Sequence, residues 1–290
     1  MKQLVLVVGA AGQLGDAMVR HLSLEHEVIT RTRDELDISV AEAVVATLTS
    51  MCPDVVINCA AYTNVDGAED DPVAAIAVNA LAVRTLARTA GDLDAALVHF
   101  STDFVFDGKA SQPYTEDDPP NPRSAYSMSK LLGEWFAADC PRHYVLRVES
   151  LFGGRHARSS VDKILAGILA GDEVRAFSDR TVSPSYVEDV VLATSKLLER
   201  GSPPGLYHCV NSGWTTWSLL AREVARLAGR PDARIVDVPV AEVVLRAPRP
   251  KFAALSNARL TTQGIQMPSW QDALRRYVDY STRGPGQNST

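Results

Sequence analysis

Cysteine is scarce in this 290-residue chain: Cys52, Cys59, Cys140 and Cys209 are its only four, widely spaced and with no CxxC pair. That usage offers no disulfide framework and no paired-cysteine metal site, and it fits a reducing, cytoplasmic setting. No run of about 18 apolar residues occurs, so no membrane span is expected. The apolar start, Leu4–Val8, is too short for a signal peptide and runs straight into glycines. Positive charge is not in surplus either: 29 Lys and Arg against 35 Asp and Glu give a net charge of −6. The arginines are scattered, with no basic stripe interleaved with aromatics, so nucleic acid is not an expected partner. Repeats and low-complexity blocks are also missing. What remains is 46% apolar and 22% charged residues, an ordinary globular balance, in a length that suits one large or two intimately packed domains.

Strand and helix patterns alternate through the first half. Leu4–Val8, Glu27–Arg31, 54–59, 95–101 and His143–Val148 read as strands. Between them 13–24, Ala41–Met51, 71–90 and 126–140 read as helices, and 108–123 as a polar loop with four prolines. This rhythm predicts an α/β, Rossmann-type doubly wound parallel sheet over residues 1–150. Residues 151–280 read as a smaller, mixed, mainly substrate-binding region. Helices are predicted there at 161–169, Val187–Glu199, 219–228 and 270–280, and 206–210 is a segment that rejoins the sheet. Residues 281–290 read as a frayed tail.

Gly9, Gly12 and Gly15 follow the first strand and open the first helix. In that context glycine permits a tight turn and lets backbone approach a pyrophosphate, whose charge faces free helix N–H groups. A dinucleotide is therefore expected at this end. The second strand ends in Arg31 and Arg33, where an NAD-specific protein usually carries an acid for the ribose 2′-hydroxyl. Arginines there favour NADPH as donor, with NADH as the alternative. Asp37, with Ile38 beside it, is placed either to accept from the adenine amino group or to cap the next helix. Cys59, Ala60, Ala61 and Tyr62 follow the third strand, where small residues let backbone pass the adenosine ribose. Asn79, in the next helix, is expected to tie neighbouring backbones under the cofactor.

The strand ending at Ser101 and Thr102 points to the reactive end, because ligands collect beyond the C-termini of parallel strands. Ser101 is counted with the cofactor contacts. Thr102 offers a hydroxyl to a reacting carbonyl. Tyr126 and Lys130 stand at i and i+4 on the following helix and so share a face. A phenol titrates near 10, too high for efficient proton transfer near pH 7, and a neighbouring ammonium is expected to lower it.

With these residues in hand the chain resembles an extended short-chain dehydrogenase/reductase, and more closely the dTDP-4-dehydrorhamnose reductase family of nucleotide-sugar 4-ketoreductases. The resemblance covers nearly the whole chain. It rests on Gly9-Ala-Ala-Gly-Gln-Leu-Gly15, Asn58-Cys-Ala-Ala-Tyr-Thr-Asn-Val-Asp66, Ser101-Thr-Asp-Phe-Val-Phe-Asp-Gly108, Tyr126-Ser-Met-Ser-Lys-Leu-Leu-Gly-Glu134, Leu146-Arg-Val-Glu-Ser-Leu-Phe-Gly153 and Ser183-Pro-Ser-Tyr186. It implies Thr102, Tyr126 and Lys130 as the catalytic triad. It places Gly12, Gln13, Leu14 and Gly15 on the pyrophosphate, Ala60, Ala61 and Tyr62 on the adenosine side, and Asp103, Phe104 and Val105 by the nicotinamide and sugar. The substrate it implies is a dTDP-linked 4-keto-6-deoxysugar, and it allows a homodimer.

The departures bear on the sugar. Phe104 stands where the family usually has tyrosine, Ser150 where a tryptophan often borders the substrate, and Arg249-Pro-Lys-Phe-Ala253 replaces an Arg-Pro-x-Asn-Ser stretch. A lost ring changes selectivity by roughly 1–3 kcal/mol, so ketoreduction is expected while rhamnose specificity is not implied. Some members bind Mg2+ at a dimer contact through acids. Asp16 has no evident complementary carboxylate here, so no metal ligand is assigned. The rival readings are a nucleotide-sugar epimerase of the same fold and a non-catalytic regulatory subunit. A 4,6-dehydratase would carry glutamate after Asp103, where Phe104 stands.

Overall fold

The computed structural model describes residues 2–156 and 158–283. Leu4–Val8 forms β1, Gln13–Leu22 helix α1, Glu27–Arg31 β2, Ala41–Met51 α2 and Val55–Asn58 β3. A continuous helix α3 follows over Pro72–Asp92, then β4 over Ala96–Thr102, α4 over Ala125–Ala137 and β5 over His143–Val148. The second half gives α5 (Ser160–Ala170), β6 (Val174–Phe177), α6 (Val187–Glu199), β7 (Gly205–His208), α7 (Trp217–Leu227), β8 (Ile235–Val238) and α8 (Trp270–Arg283).

Six strands pair in parallel in the order β7-β5-β4-β3-β1-β2. A parallel sheet buried on both faces needs apolar residues at successive positions, which is why β1 and β4 read as unbroken runs. Alternation then sorts them. Val5, Val7, Val98 and Phe100 meet Leu14 and Met18 of α1 and Val187, Val190 and Leu197 of α6. Leu6, Val8, Val56 and Leu97 face Val44 and Leu48 of α2, Val83, Leu86 and Ala90 of α3 and Ala137 of α4. Helix α3 has a mean hydropathy of 1.3 over its apolar window, enough by composition to cross a membrane. Val83, Leu86, Ala87 and Ala90 are spent on the sheet, while Val73 and Leu81 stay exposed.

The strand order reverses between β1, which neighbours β2 and β3, and the rest of the sheet, so the crevice for a ligand opens beyond the C-termini of β1 and β3. As expected of 206–210, β7 docks on β5 at the sheet edge. A second core lies beyond β5. Phe152, Tyr186 and Tyr277 cluster there with α5, α7 and α8, and β6 pairs with β8 in parallel. Helix α8 runs to Arg283, past the expected start of fraying at Ser281; residues 284–290 lie outside the described residues.

Candidate active site

The glycine turn is built by close backbone contact. Gly9 has φ +74, and a Cβ on it would strike the Cys59–Ala60 backbone; a Cβ on Gly15 would strike the carbonyl of Gly9. Helix α1 starts at Gln13 with Gly12 as its N-cap and no side-chain cap, leaving its first N–H groups free for an anion. A cavity of about 490 Å³ opens beside this turn, lined by Gly9, Gly12, Arg33, Asp37, Ile38, Cys59, Ala60, Ala61 and Tyr62. The donor set and the space both fit a dinucleotide.

Helix α4 carries the reactive pair, and its start is fixed by a reciprocal cap: Ser124 Oγ accepts from Ser127 N at 3.2 Å and Ser127 Oγ accepts from Ser124 N at 2.9 Å. Tyr126 is thereby presented on the first turn, at the C-terminal end of β4. Phe104 stands edge-on to its ring, with centroids 5.9 Å apart. Thr102 Oγ1 donates to Asp103 Oδ1 at 3.0 Å and accepts from Phe104 N at 3.2 Å.

The pKa expectation for Tyr126 is overturned. Burial pushes the phenol up to about 12, the Asp103 charge adds to this, and hydrogen bonding by Thr102 pulls the other way. Lys130 Nζ donates to the Phe100 carbonyl at 2.6 Å and lies 3.5 Å from His99 Nε2, and makes no hydrogen bond to the phenol. Burial brings the ammonium itself down to about 8, against the opposing pull of Glu134. His99 is held well below its usual range by burial and by that ammonium, so a neutral ring faces Lys130.

A family model described as RmlD substrate binding domain matches residues 1–283. The chain is 35% identical to the spore coat polysaccharide biosynthesis protein SpsK of Bacillus subtilis over 275 residues, covering 94% of this chain and 96% of that protein. It is 38% identical to a probable dTDP-4,6-dihydroxy-2-methyloxan-3-one 4-ketoreductase of Streptomyces antibioticus, covering 93% and 92%. The crystal structure of dTDP-4-dehydrorhamnose reductase from Bacillus anthracis in complex with NADP superposes with a TM-score of 0.91 at 31% identity, covering 96% and 99%.

The chain belongs to the dTDP-4-dehydrorhamnose reductase family. As a member of the extended short-chain dehydrogenase/reductases it is an NAD(P)H-dependent oxidoreductase.

Not every residue the sequence nominates turns its side chain to the reductase cleft. Leu14 is buried in the core under the sheet and Gly15 packs on the turn itself, so either meets a cofactor only through backbone. Gln13 Nε2 donates to the Gly153 carbonyl at 2.8 Å, tying α1 to the strand-end loop after β5. Arg31 folds back, its Nη1 donating to the Thr30 carbonyl at 2.8 Å, while Arg33 lines the cavity. Asp37 Oδ1 accepts from Ser39 N at 2.9 Å and Ser39 Oγ at 2.7 Å, a local turn that leaves the helix start at Ala41 uncapped by it. Ser101 points to the α4 face of β4, where it donates to Glu134 Oε1 at 2.5 Å. Val105 is buried with Phe106, Tyr114 and Leu131 behind the loop. Ser150 holds a left-handed backbone, φ 46, at the exit of β5.

Other residues of this reductase come to the site without a motif to announce them. Arg158 joins the wall of the cofactor cavity. Arg180 and Arg249 lie over the Phe104 ring at 5.3 and 5.8 Å. Arg180 also lines a second cavity of about 590 Å³, with Lys163, Arg175, Phe177 and Trp217. Among the described residues no group of three or more His, Cys, Asp or Glu side chains is placed to share a metal, and Asp16 pairs with Arg20 at 3.0 Å.

Proposed function

We propose that this chain reduces the 4-keto group of a dTDP-linked 4-keto-6-deoxysugar, with NADPH as its preferred donor. The observation that carries the reading is the position of Tyr126 and Thr102. They stand at the C-terminal end of β4, between the glycine cradle and the cavity walled by Arg180. Bound NAD(P)H supplies the hydride. Tyr126, kept protonated by burial, supplies the proton to the carbonyl oxygen, and Thr102 shares the charge that develops there. Lys130 is the cation beneath them.

The second cavity supplies the other half of the specificity. Lys163, Arg175 and Arg180 line it with three cationic side chains against one carboxylate, Glu242, and Trp217 has a buried indole N–H with no partner. That chemistry suits a pyrophosphate joined to a base with carbonyl acceptors. The test is stoichiometry: with a dTDP-4-keto-6-deoxysugar, one NAD(P)H should be oxidised per alcohol formed, the product read by NMR. Turnover without net NAD(P)H loss would reject reduction in favour of epimerisation.

The reading extends to assembly and place. Met128 and Trp135, seven apart on α4, are exposed, as are Val73 and Leu81 on α3. We infer that this face joins two copies in a homodimer, which Trp135→Glu would dissociate in sedimentation experiments. A cytoplasmic setting, read from the sparse, unpaired cysteines, is part of the same proposal and is tested by cell fractionation.

A further inference from the structure

Glu149 is an acid that the reaction above does not use. It directly follows β5 and is 1% exposed. Its Oε2 accepts from Ser183 N at 2.7 Å, while its Oε1 is buried with no partner. Asp103, 3% exposed, is in the same condition: Oδ1 takes the Thr102 hydroxyl and Oδ2 has no partner. Arg180, the cation whose charge both carboxylates feel, is 9% exposed, and its Nε is likewise unpartnered. Three buried polar side chains with orphaned atoms are costly unless something satisfies them. Two carboxylates and one guanidinium would leave a net negative charge buried against a phenol.

We propose that Glu149 is a positioning residue of the reductase site, holding one proton in common with Asp103, so that the pair presents a single negative charge to Arg180 and holds that guanidinium over the Phe104 ring beside Tyr126. Thr102 and Val148 are register partners in β4 and β5, so Asp103 and Glu149 leave adjacent strands side by side, and one proton shared between their carboxylates would satisfy the orphaned Oε1 and Oδ2 together. The groups facing the pair are Asp103 after β4, the backbone N–H of Ser183 and the Arg180 guanidinium. Beyond these lie Tyr126 on α4, raised by the Asp103 charge, and Arg249, which repels Arg180. The directions agree with sharing. Burial and then Asp103 push Glu149 well above the carboxylate range, and burial lifts Asp103 to about 6 despite Arg180. Below that pH a second proton leaves Arg180 without a counter-charge, so activity should fall on the acid side.

Infrared spectroscopy of the full-length enzyme at pH 7.5 should show the carbonyl stretch of a protonated carboxylic acid. The band should vanish in Glu149→Gln, where Asp103 no longer has a like-charged neighbour to share with. No such band in the unmutated enzyme, or its survival in the variant, overturns the proposal, and the first measurement needs no variant to fold. Profiles of kcat/KM against pH, each normalised to its own maximum, should show nearly the same acid limb in Glu149→Gln, because a neutral amide then stands where Glu149 already carries the shared proton. A limb displaced by a pH unit or more would mean that Glu149 is charged in the unmutated enzyme and would also overturn it. The inference rests on the ketoreductase reading only for the kinetics. Failure of the unmutated enzyme to turn over any dTDP-4-keto-6-deoxysugar would strike that reading, while the infrared result still decides the shared proton.

Discussion

Asn79 and Ser129 are joined by a hydrogen bond of 3.0 Å from Nδ2 to Oγ, and through it α3 holds the catalytic helix. The same amide accepts from Tyr62 N at 2.9 Å and donates to the Tyr62 carbonyl at 3.0 Å, while Ser129 Oγ donates to the Tyr126 carbonyl at 2.7 Å. One buried side chain thus couples the loop on the adenosine side to the turn that carries the phenol. The helix widens into a π turn over Ala77–Leu81, which centres on Asn79. Asn79→Ala should cost about 1–3 kcal/mol, because partners buried around the amide are left unpaired. It should also weaken NAD(P)H binding, measured by fluorescence titration beside thermal unfolding. A variant of unchanged stability and affinity would remove Asn79 from this role.

Gly133 makes a second prediction on the same contact. A Cβ at Gly133 would collide with the Asn79 carbonyl, so α4 and α3 touch backbone to backbone there. Gly133→Ala should destabilise by about 1–3 kcal/mol through overpacking and should lower kcat more than it raises KM, since Tyr126 moves with its helix. Steady-state kinetics with unfolding curves would show whether the two losses travel together.

Tyr126→Phe separates catalysis from binding. Removing one hydroxyl from a well-packed ring should leave the fold and NAD(P)H affinity nearly intact and cost about 10²–10⁴ in kcat. Activity equal to the unmutated chain would favour a regulatory subunit over an enzyme.

The sheet was legible because strand and helix patterns alternate, with apolar runs in β1 and β3 and the first run closed by Gly9, and β1, β2 and β5 begin and end at the residues that pattern predicts. The glycine turn, Thr102, Tyr126 and Lys130 were legible because their chemistry needs fixed spacings. Side-chain direction was not. Ser101 and Thr102 are neighbours in sequence, yet alternation sends one to Glu134 and the other to Asp103. Arg31 and Arg33 looked equivalent until one folded onto its own strand. Arg158 and Arg180 carry no local signal, since they reach the site only through the second half of the chain folding back on the first. Tyr126 is raised and not lowered because burial, which spacing alone does not reveal, outweighs the hydrogen bonding of Thr102.

Arg33 therefore carries the cofactor-preference prediction. Arg33→Ala should weaken NADPH more than NADH, by about tenfold for one lost charge-assisted contact of ~1.5 kcal/mol. Arg31→Ala should change the ratio little, because its guanidinium is turned away. Arg158→Ala should resemble Arg33→Ala, as both line the cavity. Equal weakening of the two dinucleotides in calorimetric titrations would mean that neither arginine reads the 2′-phosphate.

Lys130 couples stability to pH in a direction that can be worked out. Its side chain is buried and its ammonium is lowered from 10.5 to about 8. Between those values the unfolded chain binds more protons than the folded one, so folding gains stability as pH rises from about 8 to about 10.5. Below about 8 the buried charge costs its full amount, about 3 kcal/mol. Lys130→Met removes that cost together with the catalytic cation. The variant should be inactive, and its stability relative to the unmutated chain should be greatest at pH 7 and decline steadily through pH 10. The difference between the two chains cancels the titration of every other group, including the tyrosines. A difference that stays flat across this range in urea unfolding would mean that the ammonium is not penalised by burial, and that the Phe100 carbonyl compensates it in full.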